Sequence, residues 1–128
     1  MSKTSINARL AMIQAFASFM DNGSQSATVV FYEGVQPASP ATTADSANAL
    51  VTLTFPEPCI KEATATYIEL YPTDTATVIK TGTAVWARIY NGASEVAADL
   101  TVGTDITLSN INFVMGGTVK INFIKLYP

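Results

Sequence analysis

Carboxylates and aromatic rings are the side chains able to carry chemistry in this chain. Among 128 residues there is no histidine and a single cysteine. That removes Ser-His-Asp and Cys-His catalysis, and zinc sites with histidine ligands. One thiol also excludes a thiolate zinc site or an iron–sulfur cluster. Three carboxylate pairs lie close in sequence: Glu57 with Glu62, Glu69 with Asp74, and Asp99 with Asp105. A glycosidase needs two such groups facing each other across a cleft, and none of these pairs sits in an apolar, cleft-like pattern. The stretch Asp99 to Asp105 is a weak candidate for a calcium loop, since calcium takes about six to eight oxygen ligands and only two acids fall here. Solvated strand ends are the favoured reading for all of them. Tyr32, Tyr67, Tyr71, Trp86 and Tyr90 could build a platform on which sugar rings stack. For Trp86 a buried position near the core is favoured, while the tyrosine hydroxyls need water or a partner. Gly116-Gly117 precedes no helix and is no phosphate loop. No catalytic residue, metal ligand or cofactor is assigned, and the chain is expected not to be an enzyme.

Cys59 follows Pro58 and precedes Ile60, an apolar setting without a cationic cluster. It reads as a small buried hydrophobe, not a reactive thiol. With no disulfide possible inside the chain, folding in a reducing cytosol is expected.

Hydrophobic residues make up 48% and charged residues 13%, against about 25% charged in an average soluble domain. Thr, Ser, Asn and Ala must cover much of the surface instead, which suits strands, turns and surfaces that pack against a neighbour. The net charge is −3, and the seven cations, Lys3, Arg9, Lys61, Lys80, Arg88, Lys120 and Lys125, are scattered. There is no basic footprint for nucleic acid. No signal peptide is legible and no apolar run approaches 18 residues, so no membrane partner is expected.

The elements that must position these groups read as one helix followed by strands. Ser5 (or Thr4) is the N-cap of a helix over about 5–21. Ile6, Leu10, Ile13, Ala17 and Met20 share one face, and Met12, Phe16 and Phe19 form a second apolar stripe. Asp21-Asn22-Gly23 ends it. Strands are expected over 27–32, 51–55, 63–71, 75–79, 84–90, 95–100, 105–108, 111–115 and 118–126, with Val119, Ile121 and Phe123 facing one way in the last. Trp86, Arg88 and Tyr90 fall on one face of their strand, Val85, Ala87 and Ile89 on the other. Asn91-Gly92 is a strong hairpin signal. The stretch 35–48, with Pro37 and Pro40, is long for a hairpin connection. Seven to nine strands at about ten-residue spacing predict an antiparallel β-sandwich or jelly-roll-like barrel over about 27–127, preceded by the amphipathic helix, all in one domain 1–128.

Several markers recur in fixed order. They are Val29-Val30-Phe31-Tyr32, Gly34-Val35-Gln36-Pro37-Ala38, Leu53 to Pro56, and Gly82-Thr83-Ala84-Val85-Trp86-Ala87-Arg88-Ile89 with Asn91-Gly92. Asp99-Leu100-Thr101-Val102-Gly103-Thr104, Asp105-Ile106-Thr107-Leu108, Gly117-Thr118-Val119 and a terminal strand closing on Pro128 follow. In this order the chain resembles small virion structural proteins of tailed bacteriophages. The resemblance implies a capsid decoration or minor capsid protein, with a neck or tail component as the alternative. A carbohydrate-binding module on the virion is a further alternative. The implied partner is the major capsid protein or a neighbouring virion protein, within a homo-oligomer for which a trimer is the working expectation. The implied location is the virion, assembled in the host cytoplasm. Interface candidates are Ile6, Leu10, Ile13, Phe16 and Met20 on the helix, and Val35, Pro37 and Pro40 in the long loop.

Overall fold

The computed structural model describes residues 5–122 and 124–126. Lys3, Thr4, Phe123 and Pro128, all named above, lie outside them. Helix α1 spans Ile6–Met20, and the Ser5 hydroxyl accepts from Ala8 N at 3.1 Å as the N-cap. The helix closes on Asp21, and Gly23 follows at φ +106°, in the left-handed region that favours glycine.

Eleven strands follow among the described residues: β1 Thr28–Tyr32, β2 Ala49–Thr54, β3 Ile60–Ala63, β4 Ile68–Leu70, β5 Ala76–Thr77, β6 Gly82–Thr83, β7 Trp86–Tyr90, β8 Val96–Thr101, β9 Asn112–Phe113, β10 Thr118–Val119 and β11 Ile124–Leu126. A four-stranded sheet has the order β2-β1-β7-β8, and a three-stranded sheet has the order β11-β4-β3. Two short ladders, β10-β5 and β6-β9, complete the set, and every strand pair is antiparallel. The fold is mainly β and sandwich-like, with one N-terminal helix, as expected.

The strand count exceeds nine because two expected strands are each split and β6 forms at Gly82–Thr83, where none was expected, while one expected strand is lost. The stretch 63–71 is not one strand. Thr64 Oγ1 accepts from Thr66 N and Tyr67 N, and Thr64 N donates to Tyr67 O, so the chain turns between β3 and β4. A threonine side chain bonding the backbone two or three residues on competes with the sheet ladder. The C-terminal stretch breaks between β10 and β11. The expected strand 105–108 reduces to a single bridge, Val102 to Ile106.

The four-stranded sheet is covered on both faces, which explains the uninterrupted run of apolar residues in β1. Its inner face carries Val29, Phe31, Val51, Leu53, Ala87, Ile89 and Leu100 into a core shared with Ile68, Leu70, Ile124 and Leu126 of the three-stranded sheet. Phe31 meets Phe113 edge to face, 5.9 Å between ring centroids. The helix adds Ile13 and Met20 to this core and packs beside β3. Its end is fixed from two sides. Asp21 Oδ1 accepts from Cys59 N at 2.9 Å, and the Asn91 amide donates to Phe19 O at 3.0 Å.

The Asn91-Gly92 hairpin forms, but not as a two-residue turn. Asn91 is buried, its Oδ1 accepts from Ala93 N and Glu95 N, and the positive φ falls on Ser94. Gly92 is needed for a different reason. A Cβ there would collide with the carbonyl oxygens of Gln25 and Asn22, and Gln25 N donates to Gly92 O. The backbone leaving the helix therefore runs directly against this loop.

Candidate functional site

The most distinctive surface is one end of the molecule. There the connections 33–36, 78–85 and 109–117 come together. Val85 N donates to Tyr32 O, Ala84 N to Ile111 O, Met115 N to Thr81 Oγ1 and Gly116 N to Val78 O. Nine large apolar side chains are well exposed among the described residues, and six of them lie on these segments: Val35, Ile79, Val85, Ile111, Val114 and Met115. Val35 is 93% exposed. Charge is sparse at this end, since 34–44 and 109–119 contain no charged residue. Lys80 is paired with Glu33 at 3.3 Å and donates to Ala47 O at 2.9 Å. The result is an apolar, internally neutral surface, the composition found at the buried centre of protein–protein interfaces.

A second feature lies on the outer face of the four-stranded sheet. Cross-strand neighbours Tyr32 and Trp86 stack, with centroids 4.4 Å apart and planes at 15°. Arg88 lies 5.3 Å from the Trp86 ring and is joined to its cross-strand neighbour Asp99. Tyr32 and Tyr90 share a hydroxyl–hydroxyl hydrogen bond of 3.0 Å. Burial is the main cause that pushes the Tyr32 phenol well above its ordinary range, helped by that bond. The loop 34–47 folds over this cluster and brings Ala44 onto it.

The residues singled out from sequence separate accordingly. Of the interface candidates, Ile13 and Met20 are taken into the core of this chain. Leu10, Phe16 and Pro37 are half-buried, and Ile6, Val35 and Pro40 are exposed. The helix thus spends its main stripe internally and leaves Ile6 and Met12 outside. Trp86 is 2% exposed, so its ring is no open sugar platform. Cys59 is buried, and burial, then the hydrogen bond to Asp21, push its thiol up to about 12. That is the opposite of an activated nucleophile.

The carboxylates are spoken for singly. Glu62 accepts from the Tyr67 hydroxyl, Glu69 pairs with Lys61 at 3.6 Å, and Glu57 and Asp74 are exposed. Asp99 and Asp105 do border a common depression of about 300 Å³, together with Phe16 and Lys125. Both Asp99 oxygens are held by Arg88, however, and Asp105 Oδ2 accepts from Thr101 N at 2.8 Å. A larger groove of about 780 Å³ runs between 105–114 and 117–125. It gathers Asn, Ser and Thr side chains with Lys120 and Lys125 but no carboxylate pair. Among the described residues no three metal-ligating side chains gather, and no helix is long and apolar enough to cross a membrane.

The apolar end is not legible in the sequence because its six residues come from three segments far apart in the chain. Its trace there is the lack of charge over 109–119. Comparison with protein-family models, curated proteins and solved structures finds no match to this chain.

Proposed function

We propose that this chain is a non-enzymatic structural protein of a tailed-bacteriophage virion, most readily a decoration or minor capsid protein bound to the shell. The observation that carries this reading is the apolar, charge-poor end formed by Val35, Ile79, Val85, Ile111, Val114 and Met115. An isolated protein gains nothing from exposing such a surface, whereas an assembly component gains the free energy of covering it. The Thr- and Ala-rich remainder suits repeated contacts between copies, and a homo-oligomer, with a trimer as the working expectation, follows from that. The ordered sequence markers support the particular setting of a virion. A neck or tail position would use the same surface.

The test is co-sedimentation with purified particles, alongside mass determination by light scattering. The unsubstituted chain is expected to bind at a fixed copy number and to self-associate. Val114→Glu together with Met115→Glu should remove particle binding while leaving the melting temperature nearly unchanged, since both side chains are exposed. A chain that stays monomeric and never sediments with heads, necks or tails would overturn the reading.

A further inference from the structure

We propose that residues 34–47 are a latched lid, an Ω-loop that lifts as a unit from the outer face of the four-stranded sheet and uncovers the Tyr32–Trp86–Tyr90 patch. The loop has the form such a device requires. Its ends are close, clamped where Glu33 N donates to Asn48 O at 3.0 Å. Gly34 stands at this hinge with φ +84°, a conformation open to glycine at little cost. The loop also carries its own internal bonds. Thr42 N donates to Ser39 O, Ala41 N to Ser39 Oγ, and Ala47 N to Asp45 Oδ1. These travel with it when it moves, so opening does not unravel it.

What holds it down is sparse. Beyond the base, where Lys80 reaches Ala47 O, two polar ties connect it to the body. Thr101 Oγ1 donates to Gln36 Oε1 at 2.7 Å, and Arg88 Nη1 donates to Thr42 O at 2.7 Å. Its apolar contribution to the patch is Ala44. Ala44 is thus the loop's one hydrophobic side chain packed on the aromatic stack, and the segment 34–44 has no charge to anchor it.

The covered surface is also incompletely satisfied. Among the described residues, Trp86 Nε1 is the buried side-chain nitrogen or oxygen that finds no partner. Buried indole N–H groups ordinarily find an acceptor. Lifting the lid breaks two hydrogen bonds and gives that N–H an acceptor, so the closed state is held by a small margin. Arg88 is the latch. Through its other nitrogens it is fixed to Asp99, which aims Nη1 at the Thr42 carbonyl.

Trp86 is the only tryptophan, so its indole N–H resonance and its fluorescence each report on one site. In the unsubstituted chain the indole N–H should exchange with solvent at least about 10-fold faster than the backbone amides of β7, because it opens without global unfolding. Gln36→Ala and Arg88→Lys should each raise indole exchange and acrylamide quenching further, with β7 amide exchange unchanged in Gln36→Ala. Should Arg88→Lys fail to fold, Gln36→Ala and the unsubstituted chain still decide the matter. Indole exchange at the β7 amide rate, or quenching unaltered in Gln36→Ala, would overturn the lid.

Discussion

Arg88 and Asp99 face each other across the β7–β8 ladder and are joined twice, Nε to Oδ1 at 2.6 Å and Nη2 to Oδ2 at 3.0 Å. Arg88 is 1% exposed, and the bond to Asp99 strengthens its hold on the proton against the opposing effect of burial. Removing one partner of a buried pair leaves an uncompensated charge, at a cost of about 3–5 kcal/mol. Arg88→Met is therefore expected to lower the urea midpoint strongly. Arg88→Met combined with Asp99→Leu should recover most of the loss. Additive losses in the double variant would show that the two charges do not depend on each other.

Alkaline pH should destabilise the fold through two groups. Cys59 is pushed up to about 12 and Tyr32 is raised above the ordinary phenol range, in both cases chiefly by burial. Each is neutral in the folded chain at neutral pH. Their contribution is thus fully present below the unfolded values, about 8.5 for a thiol and about 10 for a phenol. It is lost as pH rises from there toward the folded values. Unfolding free energy measured in urea should fall from about pH 9 upward, and Tyr32→Phe should flatten the upper part of that slope. At pH 8 a thiol reagent should label Cys59 slowly in buffer and at once in urea. Rapid labelling of the folded chain would contradict the burial of Cys59.

Asn91 joins the helix to the β7–β8 loop through four hydrogen bonds, two accepted by Oδ1 and two donated by the amide. Asn91→Ala takes the acceptor from the Ala93 and Glu95 N–H groups and cuts the side-chain tie to the Phe19 carbonyl, at a cost of about 2–4 kcal/mol. Gly92→Ala should also destabilise, because the new Cβ would meet the Gln25 and Asn22 carbonyl oxygens. Chemical denaturation of both variants checks this. A neutral Gly92→Ala would mean that the helix exit does not lie against the loop.

The helix should answer asymmetrically to truncation. Ile13 is 3% exposed and Ile6 is 66% exposed, although both lie on the stripe read from sequence. Ile13→Ala should cost about 2–5 kcal/mol and Ile6→Ala less than about 0.5 kcal/mol. Equal losses in thermal unfolding would mean that Ile6 too is covered.

Much of the fold was legible where the signal is local. Ser5 and the Ile13–Met20 spacing define a helix without reference to anything else. Alternation in Val51, Leu53 and Phe55 assigns a strand and its inner face. Trp86 with Arg88 and Ala87 with Ile89 separate onto opposite faces because the strand period is two. The break at 64–67 was missed because Thr64 has good strand propensity, and its side-chain turn shows only once its bonds are traced. Asn91-Gly92 marked the hairpin correctly but not its turn, since Asn91 is drawn away by Phe19, distant in sequence.

The sequence by itself determined the class: one capped helix, then β-strands, with no histidine chemistry and no thiol pair. Periods, caps and composition act over a few residues and need no partner to be read. Only the tertiary structure decided that the helix stripe is used internally and that Arg88 meets Asp99 beneath a folded-over loop. It also decided that Val35, Ile79, Val85, Ile111, Val114 and Met115 share one end. Those outcomes rest on contacts between residues far apart in the chain, and a local pattern carries no record of which distant segment will cover it.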